Sequence, residues 1–92
     1  MSGAPAVVYI SRYCGWCTRA LLLLDSKGVT PEIINVDTSP AARQEMEQRS
    51  GRHTVPQVFI GDRHVGGYDD LQALEAAGEL EPLLRGAEAA TR

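Results

Sequence analysis

The chain has 92 residues, of which 43% are hydrophobic and 23% are charged, and its formal net charge at pH 7 is −3. These proportions are typical of one globular domain and exclude a disordered chain. The weak negative charge argues against nucleic acid or an anionic membrane as a partner, and no stretch reaches the roughly 20 apolar residues that span a bilayer. Residues 1–5 lack the basic and apolar regions of a signal peptide, so we expect a cytoplasmic protein.

The first predicted elements are a buried strand and a helix. Residues 6–10 are a short apolar run rich in β-forming side chains. Apolar side chains then recur with helical spacing, which predicts a helix that begins at or near Cys14. Gly28 is suited to the left-handed position that follows the end of a helix. The side chains with helical spacing are Cys17, Ala20, Leu21 and Leu24.

A second strand and a second helix follow. Residues 32–36 form the strand, and Ser39 is placed to N-cap a helix that begins with Pro40 and runs to about Ser50. A strand, a helix and a further strand at this spacing form a βαβ unit. Its two strands are parallel, and the connection between them is right-handed.

The last third of the chain predicts a hairpin and two helices. Two short strands, at Gln57–Ile60 and residues 63–65, are separated by a Gly-Asp pair typical of a two-residue turn. Helices are predicted over residues 69–77 and 79–85 from the spacing of their leucines.

Together these elements predict an α/β fold class, with a four-stranded mixed β-sheet flanked by helices in a single domain, residues 1–92. The core is expected at about residues 6–85. Residues 86–92 are small and polar, so we expect them to form a flexible tail.

The two cysteines, Cys14 and Cys17, carry the clearest chemical signal. Residues at i and i+3 share a helix face and lie close enough for a disulfide. Cys14 is predicted at the helix N-terminus, where free N–H groups and the helix dipole stabilise a thiolate. Cys17 lies one turn further, on the apolar face. We therefore predict that Cys14 is the nucleophile and that Cys17 resolves the mixed disulfide that Cys14 forms.

Two other interpretations of the pair are possible. One is a pair of ordinary buried cysteines without chemistry. The other is a zinc site, which needs four ligands, so His53 and His64 or a second chain would have to complete it. Both histidines are expected at the surface, and we predict no metal site.

Two further segments have the character of a ligand site. In Thr-Val-Pro, Pro56 precedes a strand, and a cis Val55–Pro56 bond would suit a backbone that presents its N–H and C=O groups to a peptide-like ligand. In Gly-Gly-Tyr-Asp-Asp, residues 66–70, the simple interpretation is that Asp69 N-caps the next helix with Gln72. The paired glycines and the second aspartate would also suit a ligand with an α-amino and an α-carboxylate group.

These motifs resemble the glutaredoxin family. The resemblance rests on Cys-Gly-Trp-Cys after the first strand, Thr-Val-Pro-Gln-Val-Phe-Ile before the hairpin and Gly-Gly-Tyr-Asp-Asp-Leu before a helix. Ser-Gly-Arg at residues 50–52 and Gly-Glu-Leu-Glu-Pro-Leu-Leu near the C-terminus resemble its bacterial glutaredoxin 3 type in particular. The resemblance extends over about residues 7–84.

The resemblance implies a thioredoxin-like fold, a cis Pro56 and a glutathione-dependent enzyme that reduces protein disulfides and glutathione mixed disulfides. Glutathione would be a co-substrate, with no permanently bound cofactor, and the other partners would be disulfide-containing or glutathionylated client proteins. Its cysteinyl part would lie along Val55 and its γ-glutamyl end against residues 68–70, while Arg12 and Arg43 would meet its glycine carboxylate. The glutathione-binding residues so implied are Arg12, Trp16, Arg43, Thr54, Val55, Pro56, Gly67, Tyr68, Asp69 and Asp70.

The sequence departs from the family pattern at two places. The family usually has a basic residue three positions before the first cysteine, where this chain has Ser11, and the base is Arg12 instead. The side chain of Arg12 is long enough to reach the same carboxylate from one position later. The residues between the cysteines are Gly15 and Trp16, where the family most often has Pro-Tyr.

Two alternative functions remain beside the dithiol enzyme, which we expect to be a monomer. Some glutaredoxins with a residue other than proline after the first cysteine bind a [2Fe–2S] cluster between two chains, and Gly15 permits that geometry. The other alternative is a redoxin that thioredoxin reductase reduces. The pair Asp69 and Asp70 argues against it, because that pair has no evident role without a γ-glutamyl group.

Overall fold

The structure is a computed structural model that describes residues 5–90. It contains four strands and four helices. In chain order they are β1 (Ala6–Ile10), α1 (Gly15–Ser26), β2 (Glu32–Asn35), α2 (Pro40–Ser50), β3 (Gln57–Ile60), β4 (Arg63–Gly66), α3 (Tyr68–Ala76) and α4 (Leu80–Ala90).

The four strands form one mixed sheet in the order β2-β1-β3-β4. β1 is parallel to β2, as the βαβ unit predicts, and β3 is antiparallel to both β1 and β4. Successive side chains of a strand point to opposite faces of the sheet. Accordingly Val8 packs in a core cluster with side chains of α1, α3 and α4, whereas Tyr9 packs in a second cluster with Met46 of α2. The predicted fold, a four-stranded mixed sheet flanked by helices, is confirmed.

Capping residues set the helix boundaries that the sequence predicts. Ser39 Oγ accepts the backbone N–H of Ala42 over 3.1 Å, and Pro40 is the first residue of α2. That helix stops at Gly51, and α1 stops before Gly28, both of which have positive φ angles. Only glycine adopts such angles without a steric cost, so each glycine turns the chain sharply out of its helix.

The start of α3 differs from the prediction. Gly67 is its N-cap, so the expectation that Asp69 caps this helix is wrong. Asp70 at the third helical position supplies the carboxylate, and its Oδ2 accepts the backbone N–H of Gly67 over 3.0 Å. Gln72, expected to complete the cap, instead accepts the hydroxyl of Tyr68 over 3.3 Å. The carboxylate that caps α3 therefore belongs to the helix itself, and the N-cap residue, Gly67, needs no side chain.

Helix α4 runs to Ala90, so its predicted end at Arg85 is wrong. Its apolar face continues past that point, because Ala87 is buried together with Leu80 and Leu84. Tertiary burial outweighs the weak helix propensity of Gly86. Part of the predicted tail is thus helical, and residues 91–92 lie outside the described residues.

The strand ends shift slightly from their predicted positions. β2 stops one residue earlier than expected, at Asn35, and β4 continues one residue further, to Gly66. None of the helices within residues 5–90 is long and apolar enough to cross a membrane.

Candidate active site

Cys14 and Cys17 lie where β1 passes into α1, and a disulfide joins them. Their Cα atoms are 5.2 Å apart. Cys14 is the N-cap of the helix, and its Sγ accepts the backbone N–H of Cys17 over 3.1 Å. Cys17 is 3% exposed, whereas Cys14 is only partly buried. The predicted asymmetry between the two cysteines is therefore present in their surroundings.

The position of Cys14 at the start of α1 favours a thiolate. A helix N-terminus presents free N–H groups and the positive end of the helix dipole, both of which stabilise negative charge. On Cys14 that charge resides on a thiolate, the form that attacks a disulfide sulfur. Cys17 has neither the exposure nor the cap position of Cys14.

The segment before Cys14 holds a strained residue. Tyr13 has a φ of +59° and a side chain that is 96% exposed. A non-glycine residue in this left-handed region costs free energy and occurs preferentially at functional sites. Tyr13 was not predicted from the sequence, because its exposure beside Cys14 depends on the backbone turn.

A cis peptide bond faces the cysteines from the other side. Val55–Pro56 is cis, as the family resemblance implies. The carbonyl oxygen of Val55 lies 3.8 Å from Cys14 Sγ. The next residue, Gln57, is fully buried and donates its side-chain N–H to the carbonyl of Thr54 over 3.0 Å. The backbone of residues 54–56 is thus fixed directly beside Cys14 Sγ.

The N-terminus of α3 completes the site with a charged pair. Asp70 accepts a hydrogen bond from Arg52 over 3.1 Å, and the same oxygen accepts the N–H of Gly67. The hydrogen bond from Arg52 is the main cause that holds the pKa of Asp70 below its ordinary value. Gly66, with a φ of +119°, lies against this carboxylate, and a Cβ there would overlap it.

These three segments enclose a cleft of about 450 Å³. Trp16 and Tyr68 form one wall, with ring centroids 5.7 Å apart, and the guanidinium of Arg19 lies 4.9 Å above the Trp16 ring. Its lining residues are Trp16, Arg52, Thr54, Val55, Pro56, Gly67, Tyr68 and Asp69. All but one of them were implied from the sequence.

Arg52 is the lining residue that sequence reasoning missed. A cation two residues before the Thr-Val-Pro motif was a weak signal by itself, because its carboxylate partner is 18 positions further along the chain. Only the fold shows that the loop before β3 and the start of α3 meet.

The other implied residues lie outside this lining. Asp70 adjoins the cleft through its contact with Arg52. The Arg12 backbone N–H donates to Asp37 over 2.6 Å, and its side chain is absent from the lining. Arg43 donates to the carbonyl of His53 over 3.3 Å and is also absent from the lining.

The two histidines considered as zinc ligands have other partners. His53 Nδ1 lies 3.3 Å from Glu47, and His64 Nε2 lies 2.7 Å from Gln57 Oε1. Within residues 5–90, no group of three or more histidine, cysteine, aspartate or glutamate side chains is arranged to hold a metal ion.

Comparison with known proteins gives the same family throughout. A glutaredoxin family model matches residues 6–65. Glutaredoxin 3 of Escherichia coli (strain K12) is 51% identical over 82 residues, covering 89% of this chain and 99% of that protein. A glutaredoxin of Pseudomonas aeruginosa is 49% identical over 80 residues, covering 87% of this chain and 95% of that protein.

Solved structures agree with the sequence comparisons. The buckwheat glutaredoxin–glutathione complex has a TM-score of 0.85 and 36% identity, and covers 94% of this chain and 81% of that chain. The holo form of glutaredoxin C1 from Populus tremula × tremuloides has a TM-score of 0.87 and 35% identity, and covers 99% of this chain and 85% of that chain. The fold is therefore thioredoxin-like, and the chain belongs to the glutaredoxin family of thiol–disulfide oxidoreductases.

Proposed function

We propose that this chain is a dithiol glutaredoxin that uses glutathione to reduce protein disulfides and glutathione mixed disulfides. The observation that carries this proposal is the Cys14–Cys17 disulfide at a helix N-terminus, beside a cleft with a cis-proline backbone on its opposite side. The pair supplies the electrons, and the cleft has the size and polarity for a small peptide.

With a glutathionylated client, the Cys14 thiolate attacks the glutathione sulfur. The client leaves as a thiolate and takes a proton from solvent, while Cys14 becomes disulfide-bonded to glutathione. A second glutathione thiolate then attacks the bound glutathione sulfur. This step releases oxidised glutathione and restores the Cys14 thiolate.

With a protein disulfide, the Cys14 thiolate attacks one client sulfur and forms a mixed disulfide with it, and the other client sulfur leaves as a thiolate. The Cys17 thiolate then attacks Cys14 Sγ and releases the client sulfur that Cys14 had attacked, as a second thiolate. The product is the Cys14–Cys17 disulfide, the state that the structure shows. Two molecules of glutathione reduce it again.

The charges in the cleft support a placement for glutathione. The backbone N–H and C=O of its cysteinyl residue can form hydrogen bonds with those of Val55, as between two β-strands. Its γ-glutamyl ammonium is matched by the carboxylate of Asp70, whose lowered pKa keeps it ionised at neutral pH. The α-carboxylate of the same unit is matched by the N-terminus of α3, next to Asp69.

Basic side chains are available for the glycine carboxylate. Arg52 lines the cleft and is 48% exposed, so it can turn towards a ligand. We retain Arg12 and Arg43 as further candidates for this contact. The buckwheat glutaredoxin–glutathione complex, which shares this fold, supports glutathione as the ligand of the cleft.

A steady-state assay tests the proposal. The wild-type chain is given a glutathionylated peptide with glutathione as reductant, and separately with thioredoxin reductase in place of glutathione. We expect turnover with glutathione that saturates in the glutathionylated peptide. Turnover with thioredoxin reductase and none with glutathione would contradict the proposal.

The cluster-binding alternative is separated by iron analysis of protein purified without oxygen. The dithiol function is favoured, because Cys17 lies within disulfide distance of Cys14 and can resolve its mixed disulfides. We expect a colourless and iron-free monomer, and we retain the cytoplasm as its predicted location. Visible absorbance with stoichiometric iron in a dimer would instead support a [2Fe–2S] protein.

A further inference from the structure

A buried polar link lies behind the cis-proline loop, outside the cleft. Gln57 is fully buried, and its side chain spans from the loop to β4. On one side its Nε2 donates to the Thr54 carbonyl over 3.0 Å and lies 3.3 Å from the Thr54 hydroxyl. On the other side its Oε1 lies 2.7 Å from His64 Nε2.

The carbonyl of Thr54 settles the direction of these hydrogen bonds. A backbone carbonyl only accepts, so the Gln57 atom that faces it must be the amide nitrogen. Gln57 Oε1 therefore faces the imidazole, and the imidazole must donate from Nε2. The proton of neutral His64 therefore lies on Nε2.

We propose that His64 is a positioning residue for the glutathione-binding loop, acting through Gln57 to hold the backbone of residues 54–56 beside Cys14. The inference rests on the function proposed above. His64 does not line the cleft, so it acts on the ligand only through the loop. Loss of its N–H leaves a buried amide oxygen without a donor, which costs more than the loss of an exposed hydrogen bond.

The surroundings of His64 keep the ring in place and uncharged. The centroids of the His64 and Phe59 rings are 4.9 Å apart. The guanidinium carbon of Arg49, in α2, lies 4.2 Å from the centroid of the Phe59 ring. Burial lowers the pKa of His64, and the positive charges of Arg52 and Arg49 act in the same direction. Asp70 of α3 is the one charge that opposes them among those acting on this ring. The neutral Nε2–H form is thus the working form at neutral pH.

Two substitutions separate a donor role from a packing role. His64→Phe keeps an aromatic ring against Phe59 and removes the donor. His64→Gln loses the ring but retains an N–H donor at the place of Nε2. His53→Phe is the matched control, because His53 is an exposed histidine outside the cleft.

Steady-state kinetics with a glutathionylated peptide give the first readout. We expect His64→Phe to raise KM about threefold to tenfold, the range for one lost hydrogen bond. Its kcat is expected to stay within about twofold, while His64→Gln and His53→Phe stay close to wild type in both parameters. A His64→Phe enzyme with wild-type KM, or a His64→Gln enzyme as impaired as His64→Phe, would overturn the proposal.

The second readout uses the wild-type protein without substrate. Long-range ¹H–¹⁵N correlation spectra at pH 7.5 distinguish the two neutral tautomers of a histidine. We expect His64 with a protonated Nε2, and a proton on Nδ1 would overturn the proposal whatever the variants do. Because no glutathione is present, this result is independent of the glutathione-dependent function, whose failure would show as absent turnover by the wild type.

Discussion

The backbone N–H of Cys17 donates to Cys14 Sγ over 3.1 Å, so Cys17, the proposed resolving residue, also stabilises the sulfur proposed as the nucleophile. The donor is a main-chain group, and substitution of the Cys17 side chain leaves it in place. The two roles of Cys17 can therefore be separated by mutation.

We expect Cys17→Ser to retain deglutathionylation and to lose the reduction of protein disulfides. Deglutathionylation needs one enzyme thiol and a second glutathione, whereas a protein disulfide needs the resolving thiol. Cys14→Ser is expected to lower both activities by about a thousandfold or more, because the nucleophile is absent. The measurement is kcat/KM with a glutathionylated peptide and with a peptide disulfide, and equal losses of both activities in Cys17→Ser would contradict this division.

Asp70 is expected to contribute to the affinity for glutathione through its charge. Asp70→Asn keeps the shape of the side chain and removes the negative charge that matches the γ-glutamyl ammonium. We expect KM for the glutathionylated peptide to rise about threefold to tenfold, at the low end for a charge-assisted hydrogen bond because Asp70 is partly exposed. The matched control is Asp62→Asn in the β3–β4 turn, which should leave KM unchanged. Similar KM values for Asp70→Asn and Asp62→Asn would contradict a role of Asp70 in binding glutathione.

Gly66 is expected to be intolerant of a side chain. A Cβ at this position would overlap the carboxylate of Asp70, and its φ of +119° is unfavourable for any other residue. We expect Gly66→Ala to lower the free energy of unfolding by about 1–3 kcal/mol. Gly86→Ala is the matched control, because Gly86 lies within α4 with open space around it. It should raise the stability by up to about 1 kcal/mol.

Thermal unfolding measures both glycine variants. In a domain of this size 1 kcal/mol corresponds to a shift in Tm of about 4–8 °C. A Gly66→Ala protein with the Tm of wild type would show that the Gly66–Asp70 contact is not tight.

The stability of the fold is expected to depend on pH through His64. The pKa of His64 in the folded protein lies below the ordinary value of 6.5. The unfolded chain therefore binds a proton at His64 more tightly than the folded protein does. The contribution of neutral His64 to the free energy of unfolding is therefore complete above pH 6.5. It is lost as the pH falls through the pKa of His64 in the folded protein. Urea denaturation from pH 8 to pH 5 should show a steeper loss of stability for wild type than for His64→Gln. Parallel curves would contradict the lowered pKa.

The elements could be predicted because their signals are local. Ser39 and Gly51 mark the ends of α2 in the sequence itself, and the apolar spacing after Cys14 marks α1. The cis Pro56 came from the family resemblance, because X-Pro bonds are mostly trans and the sequence alone made the cis form only plausible.

The errors arose where contacts distant in the chain decide the structure. Asp69 looked like the N-cap, but the cap is closed by Asp70, which Arg52 also binds across 18 residues. Gly86 looked like the end of α4, but burial of Ala87 against the core extends the helix. Such contacts appear only once the strands and helices are assembled.

Intact-mass spectrometry after incubation with oxidised glutathione identifies the sulfur that attacks a disulfide. The chain has two cysteines, so each Cys→Ser variant leaves a single thiol. Cys17→Ser should gain one glutathione per chain within the time in which folded Cys14→Ser gains none, because Cys17 is 3% exposed. Equal or faster addition to Cys14→Ser would contradict the assignment of Cys14 as the nucleophile.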